Sequence, residues 1–365
     1  MLLLSGLSFI LTAQPVLKTK NVFIIATDGF RWQEVFTGAD SLLINSTRYT
    51  KDTSLTKDMY WDDAPEARRK MLMPFFWNVI AKKGQLYGNR LLGNKVNMKN
   101  AYKISYAGYN EMLTGYADLK FVPNTPVNNR NINILEYLNQ QPNYTGKVAA
   151  FTSWNIFPYI LNESRNKLPV NSGYEMLQEE TASATNSFIN QVQENVVDKK
   201  HTRYDMLTYL SAREYIQAKH PKVLFLGLGE TDESAHSSHY DAYLQQASMV
   251  DKMIADLWYA VQTDPFYKDN TTFIITTDHG RGSKANTWNT HSLFTRGSGE
   301  TWLAMIGPDI IPSGEINDRQ QVYANQLVAT IAGLLGEKFE TSHSIGKPIK
   351  LSVLSADQLM VAKER

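Results

Sequence analysis

Asn21 to Thr27 (Asn-Val-Phe-Ile-Ile-Ala-Thr) is an almost unbroken apolar run that ends on Asp28-Gly29, and the same build recurs twice further along the chain. Val223-Leu224-Phe225-Leu226-Gly227-Leu228 leads through Gly229-Glu230-Thr231 to Asp232, and Phe273-Ile274-Ile275 leads to Thr276-Thr277-Asp278-His279-Gly280. Short continuous apolar runs bounded by turn residues are the pattern of strands buried on both faces. Gln85 to Leu92, Gly146 to Phe151 and Trp302 to Gly307 read as further strands. Between them the apolar spacing becomes helical: Met71 to Lys83 stopped by Gly84, Ile132 to Leu138, Tyr204 to Ala218, and Val322 to Leu335 closed by Gly336. The longest helix is expected at Tyr240 to Val261, with Leu244, Ala247, Val250, Ile254, Leu257 and Trp258 as its core stripe. Strands alternating with helices predict an α/β fold with a doubly wound, mostly parallel sheet and helices on both faces.

Two polar stretches, roughly Thr37 to Arg69 and Trp154 to about Lys200, interrupt the alternation and are expected as inserted cap segments. The first reads as an excursion over the active face. The rest, from 20 to 350, reads as one catalytic domain. Met1 to Ala13 is an apolar run ending in small residues, the pattern of a signal-peptide core with cleavage near Ala13, although no Lys or Arg precedes it. That leader makes the expected location secreted or periplasmic, and the run is too short to be a permanent transmembrane anchor.

Composition narrows the chemistry. With 43% hydrophobic and 20% charged residues and a formal net charge of +1, the chain carries no signature of binding to nucleic acid or an anionic membrane. It has no cysteine, so disulfides, thiolate metal sites and a Cys nucleophile are excluded. Any metal must be held by oxygen and nitrogen ligands.

The strand ends supply such ligands. In parallel α/β sheets the strand carboxyl ends bind ligands, and there stand Asp28, Asp232, Asp278 and His279. If the segment after Asp232 is helical, His236 lies one turn away on the same face and converges with it on one ion. Each acidic strand end by itself is equally explained as a turn or a helix cap. Together, and with one more His, they suit two divalent cations and displacement at phosphorus. Ser105 stands where a helix from Ile104 toward Gly115 begins. There a hydroxyl can act as an N-cap or face free backbone N–H groups that also hold a phosphoryl oxygen, and position alone leaves both roles open.

In their order these motifs resemble the alkaline phosphatase superfamily, nearest its nucleotide pyrophosphatase/phosphodiesterase branch. The landmarks are the strand ending in Asp28, Ser105 to Leu113-Thr114-Gly115, Asp232 to His236, Thr277-Asp278-His279-Gly280 and a later His. Lys147 to Phe151 followed by Trp154, and Leu334-Leu335-Gly336 followed by Gly346-Lys347-Pro348, agree with it. The resemblance implies an alkaline phosphatase-like fold in which Asp28, Asp278 and His279 bind one metal while Asp232, His236 and a third His bind the other. Zinc is the usual metal of the family and manganese that of some branches. The third His is assigned to His291, which precedes the Trp302 strand, with His343 in reserve and His239 behind it. Ser105 falls at the family's nucleophile and would form a covalent phosphoenzyme that water hydrolyses. Asn129, preferred to Asn128, would bind a phosphoryl oxygen. The implied substrate is a small-molecule phosphodiester or pyrophosphate.

The chain departs from the branch in having Ser105 for Thr, Ala107-Gly108-Tyr109 for Pro-Asn-His, and Ala235 for the Gly before the first metal His. A phosphomonoesterase and a phosphonate hydrolase therefore remain alternatives, and a silent ligand-binding relative is the non-enzyme one. A sulfatase is excluded, because the residues after Ser105 do not form its formylglycine motif. Arg31 and Arg281 flank motifs without an assigned role, and His201 and His220 stand in no motif.

Overall fold

All seven residues of β1 (Asn21–Thr27) are buried, and their side chains alternate between two separate cores. Phe23 and Ile25 face one, Val22, Ile24 and Ala26 the other, as the two-residue period of a strand requires. A strand with two dry faces needs a layer of helices on each side. The computed structural model, which describes residues 17–120, 123–178 and 183–351, supplies both layers. The expected leader, residues 1–13, lies outside the described residues.

In chain order the other strands are β2 (Gly84–Tyr87), β3 (Lys95–Asn97), β4 (Val148–Thr152), β5 (Val170–Ser172), β6 (Val223–Leu228), β7 (Thr271–Thr277), β8 (Glu300–Thr301), β9 (Leu303–Ile306), β10 (Gly314–Glu315) and β11 (Gln321–Tyr323). Eight of them form the main sheet in the order β10-β2-β9-β7-β1-β6-β4-β5, and β11-β3-β8 make a small second sheet. Only β9 runs against its main-sheet neighbours, β7 and β2. The sheet is mostly parallel, as expected. Its topology makes β7, β1 and β6 adjacent, so the three strands that end in the acidic motifs end side by side. Thr27 is level with both Thr277 and Leu228.

On one face Leu244, Ala247, Val250, Ile254 and Leu257 of the Tyr240–Thr263 helix pack with Ala212 and Ile216 of Asp205–Lys219. On the other lie Ser105–Thr114, Ile134–Asn139 and Leu327–Leu334. Each large apolar side chain so buried stabilises the fold by about 1.5–3 kcal/mol.

The structure redraws several elements. The helix expected over Met71 to Lys83 is two: Pro65–Leu72 ends at Met73, because Pro74 cannot continue it, and a new helical stretch starts with its Phe75 and Phe76 N–H groups bonded to the Asp251 carboxylate. The polar stretch after Thr37 holds the helices Ser41–Ile44 and Thr53–Tyr60 and buries Tyr49 and Tyr60 in the first core. The segment expected as a second insertion supplies β5, the edge strand of the main sheet. The closing helix is preceded by β11 and a short turn of 3-10 helix at Ala324–Gln326.

One contact locks a helix to the sheet's carboxyl edge. A Cβ at Gly108 would stand 2.3 Å from the Asp278 carbonyl oxygen, so only a glycine lets the Ser105–Thr114 helix approach that strand end. Gly108→Ala is expected to destabilise the fold by about 1–3 kcal/mol, the usual effect of overpacking, and to lower activity by displacing Ser105. Thermal unfolding and turnover of the same preparation test this. Wild-type behaviour in both sinks the argument.

Candidate active site

The site grows from four places along the sheet's carboxyl edge and from the start of one helix. Asp28 continues β1, its N–H still bonded to Leu228 O at 2.8 Å, and Asp278 and His279 follow β7. The chain after β6 turns into the helix Glu230–His236, which sets Asp232 and His236 one turn apart, as the spacing predicted. His291 comes from the loop between β7 and β8, tied at both ends by Gly280 N to Ser298 O and Gly282 N to Thr290 O. Ser105 opens its helix, whose N-cap is Ile104; its hydroxyl makes no cap bond and points into the site.

Each carboxylate has one oxygen held by the protein and the other turned to an imidazole. Gly29 N–H donates to Asp278 Oδ1 at 3.0 Å, while the buried Oδ2 has no hydrogen-bond partner and lies 3.5 Å from His279 Nε2. Tyr109 OH donates to Asp28 Oδ2 at 3.3 Å, and Oδ1 is 3.3 Å from His279 Nε2. The Arg281 guanidinium holds Asp232 Oδ1, and Oδ2 is 3.1 Å from His236 Nε2. Two imidazoles are oriented likewise: His279 Nδ1 lies 2.9 Å from Gly280 O and His291 Nδ1 3.0 Å from Lys103 O, which puts the ring proton on Nδ1 and leaves Nε2 as the ligand atom.

These separations fit metal coordination. Ligand atoms about 2.1 Å from a tetrahedral ion lie roughly 3.4 Å apart. His236 Nε2 is 3.0 Å from His291 Nε2 and 3.1 Å from Asp232 Oδ2, which makes one set. Asp28 Oδ1 and His279 Nε2, 3.3 Å apart, start the other, for which Asp232 Oδ1 and Asp278 Oδ2, 4.0 and 3.5 Å from that nitrogen, are the candidate third donors. Asp232 Oδ1 also comes within 4.0 Å of His279 Nε2, but it is engaged by Arg281, so Asp278 completes the second set better. The stacked rings of His279 and His291, 3.8 Å apart, stand between the sets.

Burial is the main pressure on these groups. It pushes Asp28 and Asp278 well above the usual carboxylate range, reinforced by the charge of Asp232 on the first and of Asp28 on the second. At Asp232 burial is outweighed by Arg281 and His236, which hold its carboxyl below that range. Burial and then His279 push His291 down to about 2, so its imidazole is neutral and offers a lone pair. Two dry carboxylates, one of them with an orphaned oxygen, a third that is largely buried, and the neutral imidazole of His291 are an environment for cations. The residues present fit two divalent ions.

Other expected residues lie elsewhere. Asn129 is buried, with Nδ2 donating to Asn110 Oδ1 of the Ser105–Thr114 helix at 3.0 Å and Oδ1 accepting from Asn131 N at 3.0 Å, and neither bond is to a metal-ligand candidate. Asn128 bonds to Ser164. The residue that sequence reasoning missed is Asn124, whose Oδ1 accepts from Tyr106 N–H at 3.1 Å, the N–H next to Ser105. Asn124-Thr125-Pro126 is a turn signal that points to a loop, and Asn124 has the left-handed φ of 41° that Asn tolerates, but nothing local says that the loop folds back onto a helix start. His343 stacks on Tyr116 at 4.2 Å, His239 opens the Tyr240–Thr263 helix, His220 pairs with Asp264 and His201 contacts Asn155. Arg31 is structural: it pairs with buried Glu34, which also accepts from Tyr240 OH at 2.9 Å.

A mostly parallel sheet whose central strand ends carry Asp and His clusters beside a helix-borne hydroxyl is the arrangement that the resemblance to the alkaline phosphatase superfamily implied. The family model for type I phosphodiesterase / nucleotide pyrophosphatase matches residues 44–334, and the chain belongs to that family. No curated protein matches the sequence. Among solved structures the chain is similar to wild-type alkaline phosphatase PafA (12% identity, 94% of this chain and 100% of that one, TM-score 0.59). It is also similar to the phosphonate monoester hydrolase SpPMH from Silicibacter pomeroyi (14%, 93% and 78%, 0.56) and the lipoteichoic acid synthase LtaP from Listeria monocytogenes (12%, 89% and 74%, 0.55). At these identities the likeness is one of fold.

Proposed function

We propose that the protein hydrolyses phosphodiester or pyrophosphate bonds of a small-molecule substrate through a covalent phospho-Ser105 intermediate, with two divalent metal ions, zinc first and manganese second. The observation that carries this reading is the place of Ser105: its Oγ is 3.2 Å from His279 Nε2 and 3.4 Å from Asp28 Oδ1. Asp28, Asp278 and His279 would hold one ion and Asp232, His236 and His291 the other. Bound there, the ions would lower the pKa of the Ser105 hydroxyl and stabilise charge on the leaving oxygen.

Ser105 Oγ forms the bond to phosphorus as the bond to the leaving oxygen breaks, and water then cleaves the Ser105 ester to release the phosphoryl group and restore the hydroxyl. N–H groups at the start of the Ser105–Thr114 helix other than that of Tyr106, which is bonded to Asn124 Oδ1, receive the phosphoryl oxygens, and the Asn124 amide takes the part expected of Asn129. His236, half-exposed, marks the mouth of the centre. Residues 20–350 make up the catalytic domain. The leader pattern supports a secreted or periplasmic location, and among the described residues no helix is long and apolar enough to cross a membrane.

A phosphomonoesterase is the second reading, favoured by the buried Arg281 cation beside Asp232. Turnover of bis(p-nitrophenyl) phosphate and of p-nitrophenyl phosphate, by zinc-loaded and by manganese-loaded protein, separates the two. Faster diester hydrolysis that chelation abolishes is the expected result. Faster monoester hydrolysis selects the second reading, and turnover of neither by either metal form leaves a ligand-binding relative.

A further inference from the structure

Two residues before Ser105 the backbone is strained. Lys103 has a φ of 55°, the left-handed conformation that a residue with a side chain seldom adopts. From there its carbonyl oxygen accepts from His291 Nδ1 at 3.0 Å. The bend is enforced from inside: Lys103 N–H donates to Asn100 Oδ1 at 2.8 Å, and Asn100 is 1% exposed. Asn100 is held in turn by Glu111, which is fully buried in the Ser105–Thr114 helix. Glu111 Oε2 accepts from Asn100 N at 2.7 Å and from Asn100 Nδ2 at 2.9 Å, and Oε1 accepts from Lys99 N at 2.8 Å. With Nδ2 committed to a carboxylate the amide cannot turn over, and Oδ1 is fixed as the acceptor for Lys103. On the outer side the Lys103 side chain lies over Gly299, where a Cβ would stand 3.0 Å from Cε.

These bonds form one strap from the helix that carries the hydroxyl to the loop that carries His291. A carboxylate is tolerated in a dry interior when its oxygens find donors, and Glu111 finds them on Lys99 and Asn100. A neutral imidazole has two tautomers. An acceptor at Nδ1 selects the one with its lone pair on Nε2, the atom 3.0 Å from His236 Nε2. The direction of the Lys103 carbonyl therefore decides both which nitrogen is free and where it points.

We propose that Asn100, oriented by Glu111, is a positioning residue: it holds Lys103 in the left-handed conformation, and the Lys103 carbonyl so placed sets the tautomer and direction of His291. The hydroxyl and the third histidine are thereby brought into register from one helix. The proposal rests on the two-metal reading above for what Nε2 binds, and on the strap alone for how the ring is held.

The test compares Asn100→Ala, Lys103→Gly and Lys103→Val in zinc-loaded protein. Both substitutions at 103 remove the ammonium, but glycine adopts a left-handed φ freely and a β-branched residue resists it. Solvent exchange of the His291 Nδ1–H proton, followed by NMR and assigned with His291→Ala, is the direct readout. The Nδ1–H of His279, 2.9 Å from Gly280 O and outside the strap, is the internal reference. Asn100→Ala and Lys103→Val are expected to speed exchange at His291 about tenfold, with His279 unchanged, and to weaken one zinc ion of the two by about 10–100-fold in chelator competition. Lys103→Gly should keep the slow exchange and both zinc affinities. Equal exchange in the Val and Gly variants, equal loss of protection at His279 and His291, or faster exchange with both zinc affinities unchanged overturns the proposal. If Asn100→Ala does not fold, the Val and Gly pair decides by itself. A wild type that binds no zinc fails the two-metal reading, and His291 exchange in the same variants without metal then supports or overturns the strap independently.

Discussion

Ser105→Ala is expected to lower kcat on every phosphate ester the protein cleaves by on the order of 10³-fold or more, while both metal ions stay bound. The separation of the two effects follows from geometry. Ser105 Oγ contacts proposed ligands of one set, His279 Nε2 and Asp28 Oδ1, and is not itself counted among the three proposed ligands of either set. Removing the hydroxyl therefore deletes the attacking atom and leaves the metal positions. The helix start is undisturbed as well, because the hydroxyl makes no cap bond and Ile104 is the N-cap. Acid quenching of wild type during turnover should trap a phosphate on Ser105 that mass spectrometry locates and that the Ala variant lacks. Retention of a tenth of wild-type kcat by the variant, or a phosphate trapped on another residue, would remove Ser105 from the mechanism.

His291→Ala is expected to reduce tightly bound metal from two ions to one and kcat by roughly 10²-fold or more. The prediction discriminates between the histidines that the sequence offered. His291 Nε2 lies 3.0 Å from His236 Nε2, and its ring is fixed by Lys103 O and by stacking on His279. His343 instead stacks on Tyr116, on the far end of the Ser105–Thr114 helix from the hydroxyl. His343→Ala should thus bind two ions and turn over as wild type does. Metal analysis after gel filtration, with turnover of the same samples, gives both answers. Two ions in His291→Ala, or one in His343→Ala, would reverse the assignment.

Most of the architecture is legible in the chain because burial on both faces leaves a local mark. β1, β6 and β7 are short apolar runs, and their positions could be read without knowing their neighbours. The same runs lead into Asp28, Asp232, Asp278 and His279, so strand order in the sequence already orders the candidate ligands. Elements whose stability comes from elsewhere were harder to read. The polar stretch after Thr37 becomes helical because it packs on the Tyr240–Thr263 helix, and β5 is a strand because β4 offers an open edge.

By itself the sequence determined the fold class, the family resemblance, the acid and imidazole candidates at the strand ends, and the hydroxyl at the start of a helix. Each of these is carried by neighbours a few residues apart, where strand period, helical spacing and chain direction bind local pattern to local structure. Only the tertiary structure decided which oxygen of each aspartate is free, that Asn124 and not Asn129 adjoins the helix start, and that Arg281 rather than Arg31 enters the centre. Those facts depend on contacts between segments far apart in the chain. Tyr109 reaches Asp28 across 81 positions and Arg281 reaches Asp232 across 49, separations over which no period in the sequence persists.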